Sequence, residues 1–236
     1  MMKLFIEGKA KKLFLTNENN TLIQYFKDDA TAFNNKKRNT FTNKGILNNN
    51  ISTIIYEYLN KNKIKTHFIK KVSDREQLIK KVKIIPIEIV VRNYAAGSLS
   101  KKFNIENGIK FNSPIIEHYL KSDELDDPFM NTDHITLLKL ATIQEIRKIN
   151  KIAIKINYLL LNLFSKIGII LIDFKLEFGR HKNNLVLADE ISPDSCRLWD
   201  KKSKLSFDKD LFRQDKGDLI EAYKHIFDKL SRIKNV

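Results

Sequence analysis

The sequence contains little cysteine, glycine or proline, and it lacks any long apolar run. A single cysteine, Cys196, cannot form an internal disulfide, so we expect the reducing environment of the cytoplasm. No stretch approaches the ~18 consecutive apolar residues of a membrane-spanning helix, and the start MMKLFIEGKAKK lacks the apolar core of a secretory signal. The 5 histidines show neither HxxxH nor HExxH spacing, which argues against a zinc site. A membrane partner is not expected either.

Acidic residues are the scarcer charge, since 28 Asp and Glu accompany 43 Lys and Arg and the formal net charge is +15. Such a balance is compatible with nucleic acid, acidic membranes or anionic small molecules as partners. The lysines are scattered, however, and no block of five like charges occurs, which argues against a nucleic-acid-binding stripe. Hydrophobic residues make up 42% of the 236 residues, which excludes disorder and allows one large domain or two small lobes.

Apolar periodicity predicts an α+β protein with two lobes. Before residue 84 it predicts one helix at 45–60 and short strands at 3–7, 10–16, 21–27, 66–72 and 76–83. Pro86 interrupts the pattern, which resumes as a strand at 87–91. We therefore expect a small antiparallel, β-rich lobe at 1–83 and a larger α+β lobe at 84–236, with a ligand cleft between them.

The clearest helix is predicted at 142–167. Thr142 and Glu145 have the spacing of a capping box, an apolar stripe follows at helical spacing, and Gly168 ends the helix. A strand at 169–178 leads into a hairpin, and a last helix is predicted at roughly 209–232.

The segment DFKLEFGRHKNNLVLADEI has the pattern of a hairpin that carries charges along one face. If the turn is centred on Asn183, Glu177 lies directly opposite Asp189, and two facing carboxylates repel. One interpretation is an ordinary salt bridge of either carboxylate with Lys175. The other is a divalent cation between them, since two carboxylates suit Mg²⁺ when phosphates supply further oxygen ligands.

Three further stretches suit anionic or cationic ligands. IIPIEIVVR ends at Arg92 and is followed by a small-residue turn that ends at Ser98, which indicates either a phosphate site or a solvated arginine at a tight turn. GKAKK lacks the Walker pattern but places Lys9 and Lys11 on one face, as phosphate contacts or as an exposed basic edge. KSDELDDP at 121–128 is an acidic loop, either solvated or facing a metal or an ammonium group.

Together these segments resemble the SAICAR synthetase family. The matching segments occur in family order over nearly the whole chain, and they are GKAKKLF, DDATAFN, KGILNNNIS, THFIKKV, KKVKIIPIEIVVRNYAAGS, DDPFMNTDHI, IDFKLEFG and LADEISPDSCRLWDK. The resemblance implies a two-lobed, distantly kinase-like fold with ATP in the cleft. It also implies an ATP- and Mg²⁺-dependent ligase of purine biosynthesis. That enzyme joins 5-amino-1-(5-phospho-D-ribosyl)imidazole-4-carboxylate (CAIR) to L-aspartate and releases SAICAR, ADP and phosphate.

The resemblance also assigns site residues, motif by motif. The ATP-binding residues that it implies are Lys9, Ala10, Lys11, Ile84, Lys121, Glu177 and Asp189, of which Glu177 and Asp189 hold the magnesium ion. Those implied for the CAIR phosphate are Arg92, Ser98 and Arg197. Lys175 is expected near the reacting groups, and Asp127 is a candidate proton acceptor. Many relatives have glycine where this chain has Asn35, a residue type that tolerates left-handed backbone geometry.

Two alternatives to this ligase remain. One is another ATP-dependent ligase or a kinase-like phosphotransferase that uses the same cleft, and the other is a basic nucleic-acid-binding module. The segments 92–98 and 192–197 favour the CAIR ligase, because they imply a second phosphorylated ligand beside ATP. The expected partners are therefore ATP, CAIR and L-aspartate rather than nucleic acid, and homo-oligomerisation stays open.

Overall fold

The computed structural model describes residues 3–33 and 36–233 of the chain. Asn35 lies outside these residues. The strands are β1 (Leu4–Glu7), β2 (Lys11–Leu15), β3 (Thr21–Phe26), β4 (Asp29–Ala32), β5 (Lys37–Thr40), β6 (Phe68–Lys71), β7 (Glu76–Lys80), β8 (Lys83–Tyr94), β9 (Lys110–Leu120), β10 (Phe129–Met130), β11 (Ile169–His181), β12 (Asn184–Ala188) and β13 (Cys196–Asp200). The helices are α1 (Lys44–Lys61), α2 (Gly97–Phe103), a 3₁₀ turn (Asp123–Leu125), α3 (Thr132–Leu137), α4 (Ile143–Lys166), α5 (Asp210–Arg213) and α6 (Leu219–Ser231).

The first sheet is antiparallel, with the strand order β1-β2-β3-β7-β6, and it confirms the short strands predicted before residue 84. Pairing places Leu13 opposite Gln24 and Leu22 opposite Ile79, so these four side chains share one face of the sheet. The pair β4–β5 was not predicted, because the sequences DATA and KRNT lack an apolar alternation.

The second sheet has the order β10-β9-β8-β11-β12, and β13 also pairs with β11. Strand β8 continues through Pro86, so the predicted interruption there was wrong. Pro86 is tolerated because the β8–β9 pairing starts only at Ile87 and the β8–β11 ladder is irregular between Glu88 and Ile84. The missing N–H of proline therefore removes no regular ladder bond at this position.

Helix α4 confirms the predicted capping box. The Thr142 hydroxyl accepts a hydrogen bond from the Glu145 amide at 3.2 Å, and the Glu145 carboxylate accepts one from the Thr142 amide at 2.9 Å. The predicted continuous helix at 209–232 was wrong, since α5 and α6 are separated by Gly217, whose φ is +76°. No helix among the described residues is long and apolar enough to cross a membrane.

One large apolar core joins the two parts of the fold. It contains buried side chains of α1, β8, α4 and β11, among them Ile51, Ile89, Ile149 and Phe174. The first sheet is built from residues before the expected lobe boundary, whereas the second sheet begins at Lys83. Helix α1 therefore belongs by sequence to the amino-terminal part but packs into the core of the second sheet.

Candidate active site

The hairpin of β11 and β12 brings two carboxylates together, but in a register that the sequence did not predict. His181 pairs with Asn184, so Glu177 faces Ala188 and not Asp189, and the predicted register was wrong by one residue. Strand β12 ends at Ala188, and Asp189 adopts a left-handed conformation with φ of +65°. Both carboxylates then approach the ammonium group of Lys175, at 2.9 Å for Glu177 and 3.7 Å for Asp189. The two acids therefore share one cation.

Glu177 also faces a second carboxylate on its other side. It lies directly across from Glu88 of β8, whose carboxylate is 2.8 Å from Lys175 Nζ. Lys121 adds a second cation, because its ammonium group lies 2.6 Å from both carboxylate oxygens of Glu177. The ammonium groups of Lys175 and Lys121 thus neutralise the facing carboxylates of Glu177 and Glu88, which would otherwise repel each other.

A third ammonium group completes this charged cluster. Lys11 of β2 forms ion pairs with Asp189 and, at 3.0 Å, with Glu190. Burial alone would lower the pKa of Lys11 and of Lys175, but the surrounding carboxylates more than offset it and hold both pKa values above the usual range. Burial acts to raise the pKa of Asp189, yet Lys11 and Lys175 hold that pKa below its usual range. Lys11, Lys175 and Asp189 are therefore ionised at neutral pH.

Two cavities open on this cluster. The apolar cavity, of about 570 Å³, lies against the first sheet, and its apolar lining is formed by Phe5, Ile6, Leu13, Leu22, Ile79, Val82 and Ile84. Its charged end is formed by the side chains of Lys9, Lys11, Lys121, Glu177 and Asp189, and Ala10 lies between the first two in the chain. The arginine cavity, of about 540 Å³, contains Arg92, Ser98, Lys102, Asp173, Arg197 and Arg213.

The two cavities meet at a common boundary, which we call the junction. The residues that line both cavities are Lys9, Thr31, Glu88, Asp127, Lys175, Asp194, Ser195 and Lys209. Lys175 and Asp127, the two residues expected near the reacting groups, are both among them. A ligand in one cavity can therefore contact a ligand in the other at the position of Lys175.

Two arginines are held rigidly at the wall of the arginine cavity. Arg92 is only 3% exposed, and it donates to Glu117 at 2.6 Å, to Asp173 at 2.7 Å and to the Ser98 hydroxyl at 3.1 Å. Arg197 contacts the same Asp173 at 2.8 Å. Fixed guanidinium forks of this kind match the oxygen geometry of phosphate and carboxylate groups.

A glycine allows this close packing of the arginines. Gly97 has φ of +58°, and a Cβ atom added there would lie 2.4 Å from Nη2 of Arg197. No side chain fits at this position without displacing the guanidinium group. The turn between β8 and α2 therefore requires glycine for its backbone conformation and for the space that Arg197 occupies.

A buried ion pair stabilises the loop that carries the junction residues Asp194 and Ser195. Lys44 of α1 is fully buried and pairs with Asp194, which also accepts hydrogen bonds from the Tyr223 hydroxyl at 2.6 Å and from the Asn48 amide at 3.0 Å. These contacts hold the loop that carries Ser195 against α1 and α6. No role was predicted for Lys44, although it lies in the matched segment KGILNNNIS.

Every site residue expected from the resemblance lines one of the two cavities. Ile84 is 37% exposed in the apolar cavity, and Lys9 forms an ion pair with Asp123 at 2.6 Å. The Asp127 carboxylate accepts a hydrogen bond from the Ser122 amide at 2.9 Å. The junction residues Thr31, Glu88, Asp194, Ser195 and Lys209 were not predicted from the sequence. All of them except Lys209 lie in segments that match the family, which was the available signal.

The fold and the site define the class of this protein as an α+β protein with two adjoining ligand cavities that meet at a lysine. A model of the SAICAR synthetase family matches residues 4–230. Phosphoribosylaminoimidazole-succinocarboxamide synthase of Exiguobacterium sp. is 53% identical over 222 residues, which cover 94% of this chain and 95% of that protein. The corresponding synthase of Clostridium botulinum is 48% identical over 97% of this chain and 98% of its own. The chain belongs to the SAICAR synthetase family.

Solved structures agree with this assignment. The crystal structure of phosphoribosylaminoimidazole-succinocarboxamide synthase from Ehrlichia chaffeensis superposes with a TM-score of 0.96 at 50% identity, covering 99% of this chain and 100% of that one. A type-2 SAICAR synthetase in complex with ADP gives a TM-score of 0.94 at 48% identity, with coverage of 99% and 100%. The expected α+β fold of this family is therefore confirmed.

Proposed function

We propose that this enzyme joins CAIR to L-aspartate with ATP and forms SAICAR, ADP and phosphate in purine biosynthesis. The single observation that carries the proposal is the junction, where a lysine-lined end of one cavity meets an arginine-lined cavity. A ligase of this kind must bring the terminal phosphate of ATP to the carboxylate of a second anionic substrate. The family membership and the ADP-bound relative support the same conclusion.

In this proposal the apolar cavity takes ATP and the arginine cavity takes CAIR. The phosphates of ATP lie against Lys9, the backbone of Ala10 and Lys11, with Lys121 beside them, while Ile84 is at the apolar end that suits the base. Arg92, Ser98 and Arg197 hold the ribose phosphate of CAIR, which directs its carboxylate to the junction. Residues 1–83 thus act as the phosphate-binding lobe and 84–236 as the lobe that binds CAIR.

The chemistry requires that a carboxylate be made reactive toward an amine. An oxygen of the CAIR carboxylate bonds to the γ-phosphorus of ATP, the bond to the β,γ-bridging oxygen breaks, and ADP leaves an acyl phosphate behind. The aspartate amine then bonds to the acyl carbon and phosphate leaves. Lys175, at the junction, neutralises charge on the phosphoryl oxygens, and the Asp127 carboxylate takes the proton of the amine.

The charged end of the apolar cavity fits a magnesium ion. Glu177 and Asp189 offer hard carboxylate oxygens close enough together to share the ammonium group of Lys175. Among the described residues no group of three or more His, Cys, Asp or Glu is placed to hold a metal ion. In this proposal the phosphates of ATP supply the further oxygen ligands. When bound, Mg²⁺ supplies Lewis-acid neutralisation of the phosphate oxygens.

An assay that omits one substrate at a time tests the proposal. We expect steady-state release of ADP only when ATP, CAIR and L-aspartate are all present, because the acyl phosphate is consumed by the amine. The measurement is coupled detection of ADP together with chromatographic detection of SAICAR. Steady ADP release that needs CAIR but not aspartate would instead indicate a phosphotransferase, and no CAIR-dependent release would contradict the proposal.

Lys209 gives a prediction about pH. Burial, with Lys44 and Arg213 nearby, lowers the pKa of its ammonium group to about 8, although Asp194 and Glu190 act to raise it. Lys209 lines both cavities, so we propose that its ammonium group binds a substrate carboxylate at the junction. Since the group loses its proton above its pKa, the KM of that substrate is expected to rise about tenfold per pH unit above about pH 8.

Lys209→Arg is the control for this pH effect, because arginine keeps its charge throughout the range. The substrates titrate identically in both proteins, so the ratio of the two KM values at each pH isolates Lys209. We expect the ratio for CAIR or for L-aspartate to change above pH 8 and the ratio for ATP to stay constant. Constant ratios for both carboxylate substrates would rule out the contact.

A further inference from the structure

The apolar cavity contains two polar side chains that lack hydrogen-bond partners. Gln24 of β3 and His67, just before β6, are 3% and 1% exposed, and both line this cavity. The side-chain nitrogen Nε2 of Gln24 and both ring nitrogens of His67 have no partner. A buried polar atom without a partner costs free energy, so its persistence calls for a physical explanation.

Their position separates these two residues from the other buried polar atoms without partners. Among the residues that the structure describes, such atoms also occur in Asn48, Asn49, Ser52, Gln77, Ser100 and His225. None of those six residues lines either cavity, whereas Gln24 and His67 line the same one. Among the described residues, the buried polar side chains that both lack a partner and line a cavity are therefore found in the apolar cavity alone.

Gln24 has mainly apolar neighbours on its face of the first sheet. It stands beside Leu13, Leu22 and Ile79, which also line the cavity, and directly opposite Gln77 of β7, which does not. The ring of His67 lies 5.3 Å from that of Tyr56, centroid to centroid. Burial, with Lys11 and Lys80 nearby, lowers the pKa of His67 to about 3, although Asp189 acts to raise it. The ring is therefore neutral at physiological pH and offers one N–H donor and one acceptor nitrogen.

We propose that Gln24 and His67 recognise the base of the bound nucleotide by hydrogen bonds to its edge. Two neutral side chains on a mainly apolar wall suit an uncharged aromatic ring with polar edges, whereas the lysines that line the same cavity suit phosphates. The inference rests on the proposed binding of ATP in this cavity and adds the residues that read its base. The base then supplies the partners that Gln24 and His67 lack in the protein alone.

Nucleotide binding measured by thermal shift tests this assignment with two variants, His67→Phe and Gln24→Leu. Each keeps much of the side-chain volume and removes the hydrogen-bonding atoms. We expect the Kd of ADP to rise about tenfold for each variant, while the Kd of inorganic tripolyphosphate, which has no base, stays unchanged. We also expect ADP to lose its advantage over GDP, because the contacts that distinguish their bases are gone.

The stability of the ligand-free variants separates binding from a structural role. If the polar atoms serve the ligand, their removal leaves the melting temperature of the protein alone unchanged or higher, since no partner is lost. His225→Phe is the matched control, because His225 also has a ring nitrogen without a partner but lines neither cavity. Its ADP affinity should equal that of the wild type.

Two outcomes would overturn the proposal. One is an ADP affinity that neither variant changes, and the other is an equal loss for ADP and tripolyphosphate, which would mean that the substitutions act at the phosphate end. Binding of ADP is measured without turnover, so this result does not depend on the ligase assay. A protein that binds ADP as expected but forms no SAICAR would leave this inference standing and overturn the proposed reaction.

Discussion

Replacement of Glu177 by glutamine is expected to lower kcat about a thousandfold while the protein stays folded. The carboxylate is buried and accepts hydrogen bonds from Lys121 at 2.6 Å and from Lys175 at 2.9 Å. In the proposed reaction it is also one of the two carboxylates that hold Mg²⁺. A neutral amide of the same size offers no negative charge to the metal, and metal stabilisation of the transition state is worth several kcal/mol, which corresponds to about 10³ in rate.

The fold is expected to survive this substitution because the neighbouring lysines keep other partners. Lys175 retains Glu88 at 2.8 Å and Asp189 at 3.7 Å, so it is not left as an uncompensated buried charge. The Lys121 side chain is 45% exposed and can turn toward solvent. Thermal unfolding should therefore show a smaller change than the loss of a whole buried ion pair would cause.

The measurements for Glu177→Gln are steady-state kcat and the dependence of ADP affinity on Mg²⁺. We expect added Mg²⁺ to strengthen ADP binding in the wild type and to have little effect in the variant. Glu145→Gln is the matched control, since Glu145 is paired with Arg180 at 2.7 Å and lines neither cavity. A Glu177→Gln enzyme with nearly normal kcat would exclude the metal role.

The parts of the fold that sequence predicted well are those set by local pattern. Helix α4 was predicted within one residue at each end, because Thr142, Glu145 and Gly168 mark its ends and a clean apolar stripe runs between them. The division of the last predicted helix was missed although Gly217 and Asp218 mark it. The apolar pattern also breaks there, since Phe212 is followed by the polar segment RQDKGD before Leu219, and the prediction of one continuous helix overlooked both signals.

The charged cluster shows why the site was only partly predictable. The sequence indicated that Glu177 and Asp189 lie near each other, yet the reason given, a facing pair, was wrong. A strand alternates its side chains, so a shift of one residue would place Asp189 on the opposite face. The left-handed conformation of Asp189 changes the direction of the chain there, and this conformation was not predicted from the sequence.

The buried network around the junction residue Asp194 was missed for another physical reason. Lys44 and Asp194 are 150 positions apart in the chain, and Tyr223 contacts the same carboxylate from a third element. Each residue taken alone has the pattern of a solvated charge or of a core aromatic. Only the packing of α1 and α6 around the loop before β13 makes these residues one buried network, which is information that tertiary structure supplies.

Replacement of Arg92 by lysine is expected to raise the KM of CAIR about a hundredfold and to change the KM of ATP little. A guanidinium group reaches Glu117, Asp173 and Ser98 at once, whereas an ammonium group on a shorter side chain cannot make all three contacts. The variant therefore loses the fixed fork that the proposed CAIR phosphate needs. Two charge-assisted hydrogen bonds of about 1.5 kcal/mol each correspond to about two orders of magnitude in affinity.

Lysine is a better test at this position than alanine. Arg92→Ala would leave the buried carboxylates of Glu117 and Asp173 without this partner, and breaking a buried ion pair costs about 3–5 kcal/mol. An increase in KM for that variant would then not distinguish partial unfolding from weaker substrate binding. Arg180→Lys is the matched control, because Arg180 binds Glu145 through Nε and Nη2 but lines neither cavity.

The ratio of the two KM effects decides the role of Arg92. The arginine and apolar cavities share only the junction residues, and Arg92 is not one of them. A substitution at Arg92 should therefore raise the KM of the ligand in the arginine cavity and leave the KM of the other ligand unchanged. We expect Arg180→Lys to alter the melting temperature without altering either KM, and Ser98→Ala to repeat the CAIR effect in weaker form. Equal increases in KM for CAIR and ATP in Arg92→Lys would place the lost contact at the junction or in the fold as a whole, and not at a phosphate of CAIR.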